Sequence, residues 1–98
     1  MTEDTDTLIS LLRQHAPHCR AQFGVNSLRV FGSCARGSAS AQSDVDLLVA
    51  FEAPTTARRF YGLQLFLEEL LGRPVDLVTE QALRDELRPS VEADAILI

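Results

Sequence analysis

Two aspartates, Asp44 and Asp46, stand two residues apart around the head of an apolar run, Ser43-Asp44-Val45-Asp46-Leu47-Leu48-Val49. If that run is a strand, pleating puts both carboxylates on one face, roughly 6–7 Å apart for a rise of ~3.3 Å per residue. Like charges so placed repel, and a cation between them removes the repulsion. Mg²⁺ suits the position, because it is hard, prefers oxygen ligands and keeps coordination places for substrate phosphates. Two ions ~3.5–4 Å apart could share such a pair, one activating a nucleophile and the other neutralising a leaving pyrophosphate.

Upstream, Phe31-Gly32-Ser33-Cys34-Ala35-Arg36-Gly37 supplies what a phosphate needs. A glycine at a strand end lets the backbone approach an anion with no Cβ in the way. A helical turn starting at Ser33 would aim N–H groups and a hydroxyl at phosphate oxygens. Arg36, one turn further on, can add a charge-assisted contact. Asp76, in Val75-Asp76-Leu77-Val78, is a third acid in a strand context where an unpaired carboxylate is unwelcome. Beside the Asp44–Asp46 strand it would reach the same cation and accept a proton from an attacking hydroxyl. A D-x-D pair or a Gly-Ser pair alone is weak, and Arg36 has a surface arginine as its alternative reading. Together they describe a site for a nucleoside triphosphate.

The elements that must position these residues follow from periodicity and punctuation. Asp4, Thr5 or Asp6 can cap a first helix with apolar positions Leu8, Leu11, Leu12 and His15. Pro17 is predicted to interrupt it, so that a second helical piece carries Cys19 and Phe23 and ends at Gly24. The same break would take His15, His18 and Cys19 out of line as a metal site. Residues 27–31 alternate as a strand, and residues 34–43 are small and polar, suiting a loop or short helical turn close to a ligand. Val45–Phe51 is the best strand. Pro54 with Thr55 or Thr56 starts a helix whose stripe is Ala57, Phe60, Tyr61, Leu63, Leu67, Leu70 and Leu71, with Tyr61 read as core; Gly72-Arg73-Pro74 stops it. Residues 75–78 form a short strand. A last helical region carries Leu83 and Leu87 before Pro89, then Val91, and residues 95–98 read as a buried terminal helix. The expected class is α/β (α+β), a small mixed β-sheet flanked by helices, with no repeat or linker, so residues 1–98 form one domain.

Composition narrows the function. Ninety-eight residues with 46% apolar content can form one core but leave little for a separate substrate domain. A second substrate is therefore small, or is another protein. Nine arginines, no lysine and fourteen acids give a net charge of −5, which disfavours nucleic acid as a direct partner. The two cysteines fit no metal or redox spacing. No basic leader precedes an apolar stretch and no apolar run approaches ~18 residues, so no membrane partner and a cytoplasmic location are expected.

Gly32-Ser33-Cys34-Ala35-Arg36-Gly37 followed by Ser43-Asp44-Val45-Asp46-Leu47-Leu48-Val49 resembles the signature of the DNA polymerase β-like nucleotidyltransferase superfamily, and more closely its minimal nucleotidyltransferase (MNT) group. The likeness runs from the first helix through Val75-Asp76-Leu77-Val78-Thr79. The resemblance implies the nucleotidyltransferase fold, with Gly32 and Ser33 on the triphosphate and Asp44 and Asp46 on the metals. It makes Asp76 the third ligand and candidate base. It further implies an antitoxin that moves AMP from ATP to a tyrosine hydroxyl of a partner HEPN toxin, with a hetero-oligomer as the working assembly. Two alternatives stay open: a non-catalytic nucleotide-binding antitoxin that acts by occlusion, and a small-molecule nucleotidyltransferase, for which no acceptor pocket is evident.

Overall fold

Val45–Phe51 is a strand in a computed structural model, which describes residues 5–37, 43–52 and 54–98; Leu48 is buried on the face opposite Val45, Leu47 and Val49. The elements run α1 (Thr5–Phe23), β1 (Val25–Phe31), α2 (Gly32–Arg36), β2 (Val45–Phe51), α3 (Ala57–Leu71), β3 (Val75–Thr79), α4 (Arg88–Asp94) and β4 (Ile96–Leu97). The four strands lie in the order β3-β2-β1-β4. β1 is antiparallel to β2 and β4, whereas β2 and β3 are parallel, as the helical crossover α3 allows. The sheet is therefore mixed, and the expected α+β class holds.

One face of the sheet carries the core. Val45, Leu47 and Val49 of β2, each 0% exposed, join Leu8 and Leu12 of α1 and Leu63 and Leu67 of α3 in one apolar cluster. On α3 the buried positions Leu63, Leu67 and Leu71 recur every four residues, one face of a helix. Thr56 caps that helix by accepting the Arg59 N–H at 3.2 Å, and the Gly72 N–H closes it on the Glu68 carbonyl at 2.8 Å.

Several sequence expectations are corrected. α1 passes through Pro17 without a break. Pro17 is on the exposed side, so the carbonyl left without a donor can bond to water. Leu8, Ile9 and Leu12 before it and Cys19 after it are buried together, which holds both halves in line. Asp4, one of the candidate caps, lies outside the described residues. His15 and His18 pack on Phe66, with the His18 ring 4.7 Å from that of Phe66.

Tyr61 is 64% exposed, not core. At 100° per residue it sits about 200° round the helix from Leu63, so burying the leucine stripe turns the tyrosine outward. The C-terminus is also different. Residues 80–87 form turns, Pro89 occupies the first turn of α4, and no residue of α4 is buried. Ile96–Leu97 is a strand, not a helix, and the Ile98 N–H donates to the Leu28 carbonyl at 2.8 Å. The free edge of β1 offers backbone partners that a final apolar tetrapeptide, rich in isoleucine, is better suited to take than to bury as a helix. No helix among the described residues is long and apolar enough to cross a membrane.

Candidate active site

The sheet brings Asp46 and Asp76 side by side. They are register partners across the parallel β2–β3 ladder, and Asp46 is also the register partner of Phe31 at the end of β1. Asp46 thus sits between the strand that carries Asp76 and the turn that opens at Gly32. Its carboxyl is pushed above the usual carboxylate range, first by burial, then by the negative charges of Asp76 and Asp44, and further by a side-chain hydrogen bond with Asp76. The Arg36 charge opposes this shift without cancelling it. Negative charges crowded in this way are relieved by a proton or by a cation.

Gly32 is required there twice over. Its φ is +70°, a backbone region that L side chains rarely adopt, and a Cβ would collide with a carboxylate oxygen of Asp46. The first turn of α2 opens at Gly32 and Ser33, with Phe31 extended and giving no side-chain cap. Gly32 therefore lies directly against the Asp46 carboxylate. Arg36 lies in the last turn of α2, exposed, and pairs with Asp94 of α4 at 3.0 Å.

Asp44 is placed differently. It is exposed, immediately before β2, and acts on Asp46 through its charge. Among the described residues no three His, Cys, Asp or Glu side chains form a ready-made metal cage. The acid pair nevertheless fits a hard divalent cation. Its donors are all oxygen, and Mg²⁺ is commonly held by one or two carboxylates with water and substrate phosphates completing its shell.

Two residues of this neighbourhood escape a reading of the sequence. Arg73 donates from Nε and Nη2 to the Ser43 carbonyl, at 3.1 and 2.7 Å, and Nη2 lies 3.7 Å from the Cys34 sulfur. The Cys34 thiol donates to the Asp44 carbonyl at 3.7 Å, and the Thr5 hydroxyl donates to the Cys34 carbonyl at 2.6 Å. Burial raises the Cys34 thiol pKa, against the lowering effect of Arg73. The available signal was an arginine between a helix-ending glycine and a proline, directly before the Asp76 strand. Its partners lie 30 and 39 residues away, which no local pattern reports.

Residues 12–98 match the family model for the nucleotidyltransferase domain. The protein adenylyltransferase MntA of Thermococcus cleftensis is 39% identical over 89 residues, which make up 91% of this chain and 90% of that protein. A solved minimal nucleotidyltransferase shares 45% identity at a TM-score of 0.80, over 96% of this chain and 95% of that one. A Shewanella oneidensis complex of a tri-AMPylated HEPN toxin with its MNT antitoxin shares the fold, at a TM-score of 0.58 and 22% identity, over 95% of this chain and 66% of that chain. With a domain match over residues 12–98 and a relative of this identity along nine-tenths of its length, the chain belongs to the nucleotidyltransferase domain family.

Proposed function

We propose that this protein is an adenylyltransferase antitoxin that moves AMP from ATP to a tyrosine hydroxyl of a HEPN-type toxin and so silences it. The observation that carries this reading is the in-register Asp46–Asp76 pair set against Gly32. Likeness to a named protein adenylyltransferase supports a protein acceptor, and the fold shared with an AMPylated toxin complex supports a HEPN partner and a hetero-oligomer. Residues 1–98 act as one minimal nucleotidyltransferase domain, and the partner supplies the acceptor hydroxyl. A cytoplasmic location fits two buried free thiols and a need for ATP.

Asp44, Asp46 and Asp76 would hold Mg²⁺, which when bound neutralises triphosphate charge and makes the attacking hydroxyl more acidic. The chain's own residues do the rest. Gly32 and Ser33 receive the phosphates through the first turn of α2, where no Cβ intervenes. Arg36 adds a charge-assisted contact by exchanging Asp94 for phosphate. The toxin hydroxyl oxygen bonds to the α-phosphorus as the α–β phosphoanhydride bond breaks, and pyrophosphate leaves with the bonding electrons. The hydroxyl proton passes to the Asp76 carboxylate. Alignment and charge neutralisation suffice for such a transfer, so a small domain can carry it.

The test is intact-mass analysis of the partner toxin after incubation with the protein, ATP and Mg²⁺. AMP-sized increments are expected on the toxin, and the Asp44→Asn, Asp46→Asn double variant should abolish them. If no increment ever forms and the double variant still neutralises the toxin fully, neutralisation is by occlusion and the enzymatic reading fails.

A further inference from the structure

We propose that Arg73, with Cys34, is a positioning clamp that sets the Asp44 carboxylate relative to Asp46 and Asp76 for cation binding. This deepens, and rests on, the cation-site reading above. Asp44 lies just before β2 and is exposed, as Asp76 is, whereas Asp46 is half-buried. Three backbone contacts hold the chain at and beside it. The Ser43 carbonyl is held by Arg73, the Asp44 carbonyl by the Cys34 thiol, and the Val45 N–H by the Pro74 carbonyl at 3.0 Å.

Two of the three contacts come from one turn, Arg73-Pro74, and that turn leads two residues later to Asp76. The start of β3 is itself pinned by α3. Glu68 accepts the Val75 N–H and Gln64 donates to the Val75 carbonyl, both at 3.0 Å. Asp44 and Asp76 are thereby referenced to the same turn. Cys34 extends the network to α2, whose first residues are Gly32 and Ser33. Arg73 reaches the acid set through the backbone carbonyl of Ser43, next to Asp44.

The guanidinium is suited to this task. Its planar fork places two N–H donors on a single carbonyl and leaves the Nη2 side against the buried sulfur, an arrangement a lysine ammonium does not reproduce. Groups that orient metal ligands from behind typically change affinity by about 10- to 100-fold when altered.

Manganese(II) alone serves as the probe, titrated into the full chain and followed by the loss of its free-ion electron paramagnetic resonance signal. Arg73→Lys, Arg73→Gln and Cys34→Ala are compared with the wild type, and each is melted without cation to register its fold. Both Arg73 variants are expected to bind Mn²⁺ about 10-fold more weakly, and Cys34→Ala to weaken it less, in the same direction. Should Arg73→Gln fail to fold, Arg73→Lys and Cys34→Ala carry the comparison. Wild-type Mn²⁺ affinity in the folded variants, with or without a lowered melting temperature, makes Arg73 merely structural and overturns the clamp. A wild type that binds no Mn²⁺ removes the cation site, and the clamp with it.

Discussion

Strand β2 presents two faces made by opposite rules. Val45, Leu47 and Val49 point under α1 and α3 and are wholly buried in the main cluster. Asp46, between Val45 and Leu47, points the other way into a half-buried position beside Asp76, where burial and like charge both raise its carboxyl pKa. The apolar face lowers the free energy of the fold, and the Asp46 position on the other face raises it in the absence of a cation. Violation of a local stability rule on a rigid, well-packed strand is the mark of a site kept for chemistry.

Substitution on each face should separate the two rules. The largest effect is expected from Asp46→Asn, which should slow AMP transfer to the partner by ~10³-fold or more, about 4 kcal/mol of transition-state stabilisation. Its cation-free melting temperature should stay level or rise, since repulsion from Asp76 and Asp44 is gone. The pH dependence has a definite sign. The folded protein holds the Asp46 carboxyl above its ordinary value, so that contribution to stability is full below the ordinary value and is lost as pH rises through the raised one. Urea denaturation of the cation-free protein should show this decline, and the asparagine variant should lack it.

Leu67→Ala on the core face comes next. Leu67 is 0% exposed, and its truncation should destabilise the fold by about 3 kcal/mol, lowering the melting temperature by roughly 12–24 °C. Where the variant remains folded, its Mn²⁺ affinity should match the wild type. Gly32→Ala lies at the junction of the two faces. Positive φ and the encounter with Asp46 should cost about 1–2 kcal/mol in a denaturant titration, and nucleotide binding should fall in calorimetry. Arg36→Ala should matter least. Its ion pair with Asp94 is exposed, 53% and 31% by side chain, so removing it should change stability by no more than about 0.5 kcal/mol while the apparent KM for ATP rises a few-fold.

How far these faces were legible in the sequence depended on the range of the forces involved. Alternation identified β2 to its residue bounds, and four-residue spacing identified the leucine face of α3, because both patterns are local. The residues assigned to the site were chosen by chemistry and spacing, and the structure puts Asp46, Asp76 and Gly32 together. Tertiary context decided the rest. Pro17 is tolerated because flanking residues on both sides are buried, and the terminal strand exists because β1 has an open edge. Tyr61 turned outward once Leu63 turned in. The Arg73 contacts join segments that no sequence window spans.

A crystal structure of the protein with Mg²⁺ and a non-hydrolysable ATP analogue bears most directly on the acid pair and its glycine neighbour. The expected result is a cation bound by the carboxylates of Asp44, Asp46 and Asp76 and by triphosphate oxygens, with the phosphates seated on the Gly32–Ser33 turn. A nucleotide bound elsewhere, with no cation among the carboxylates, would contradict it.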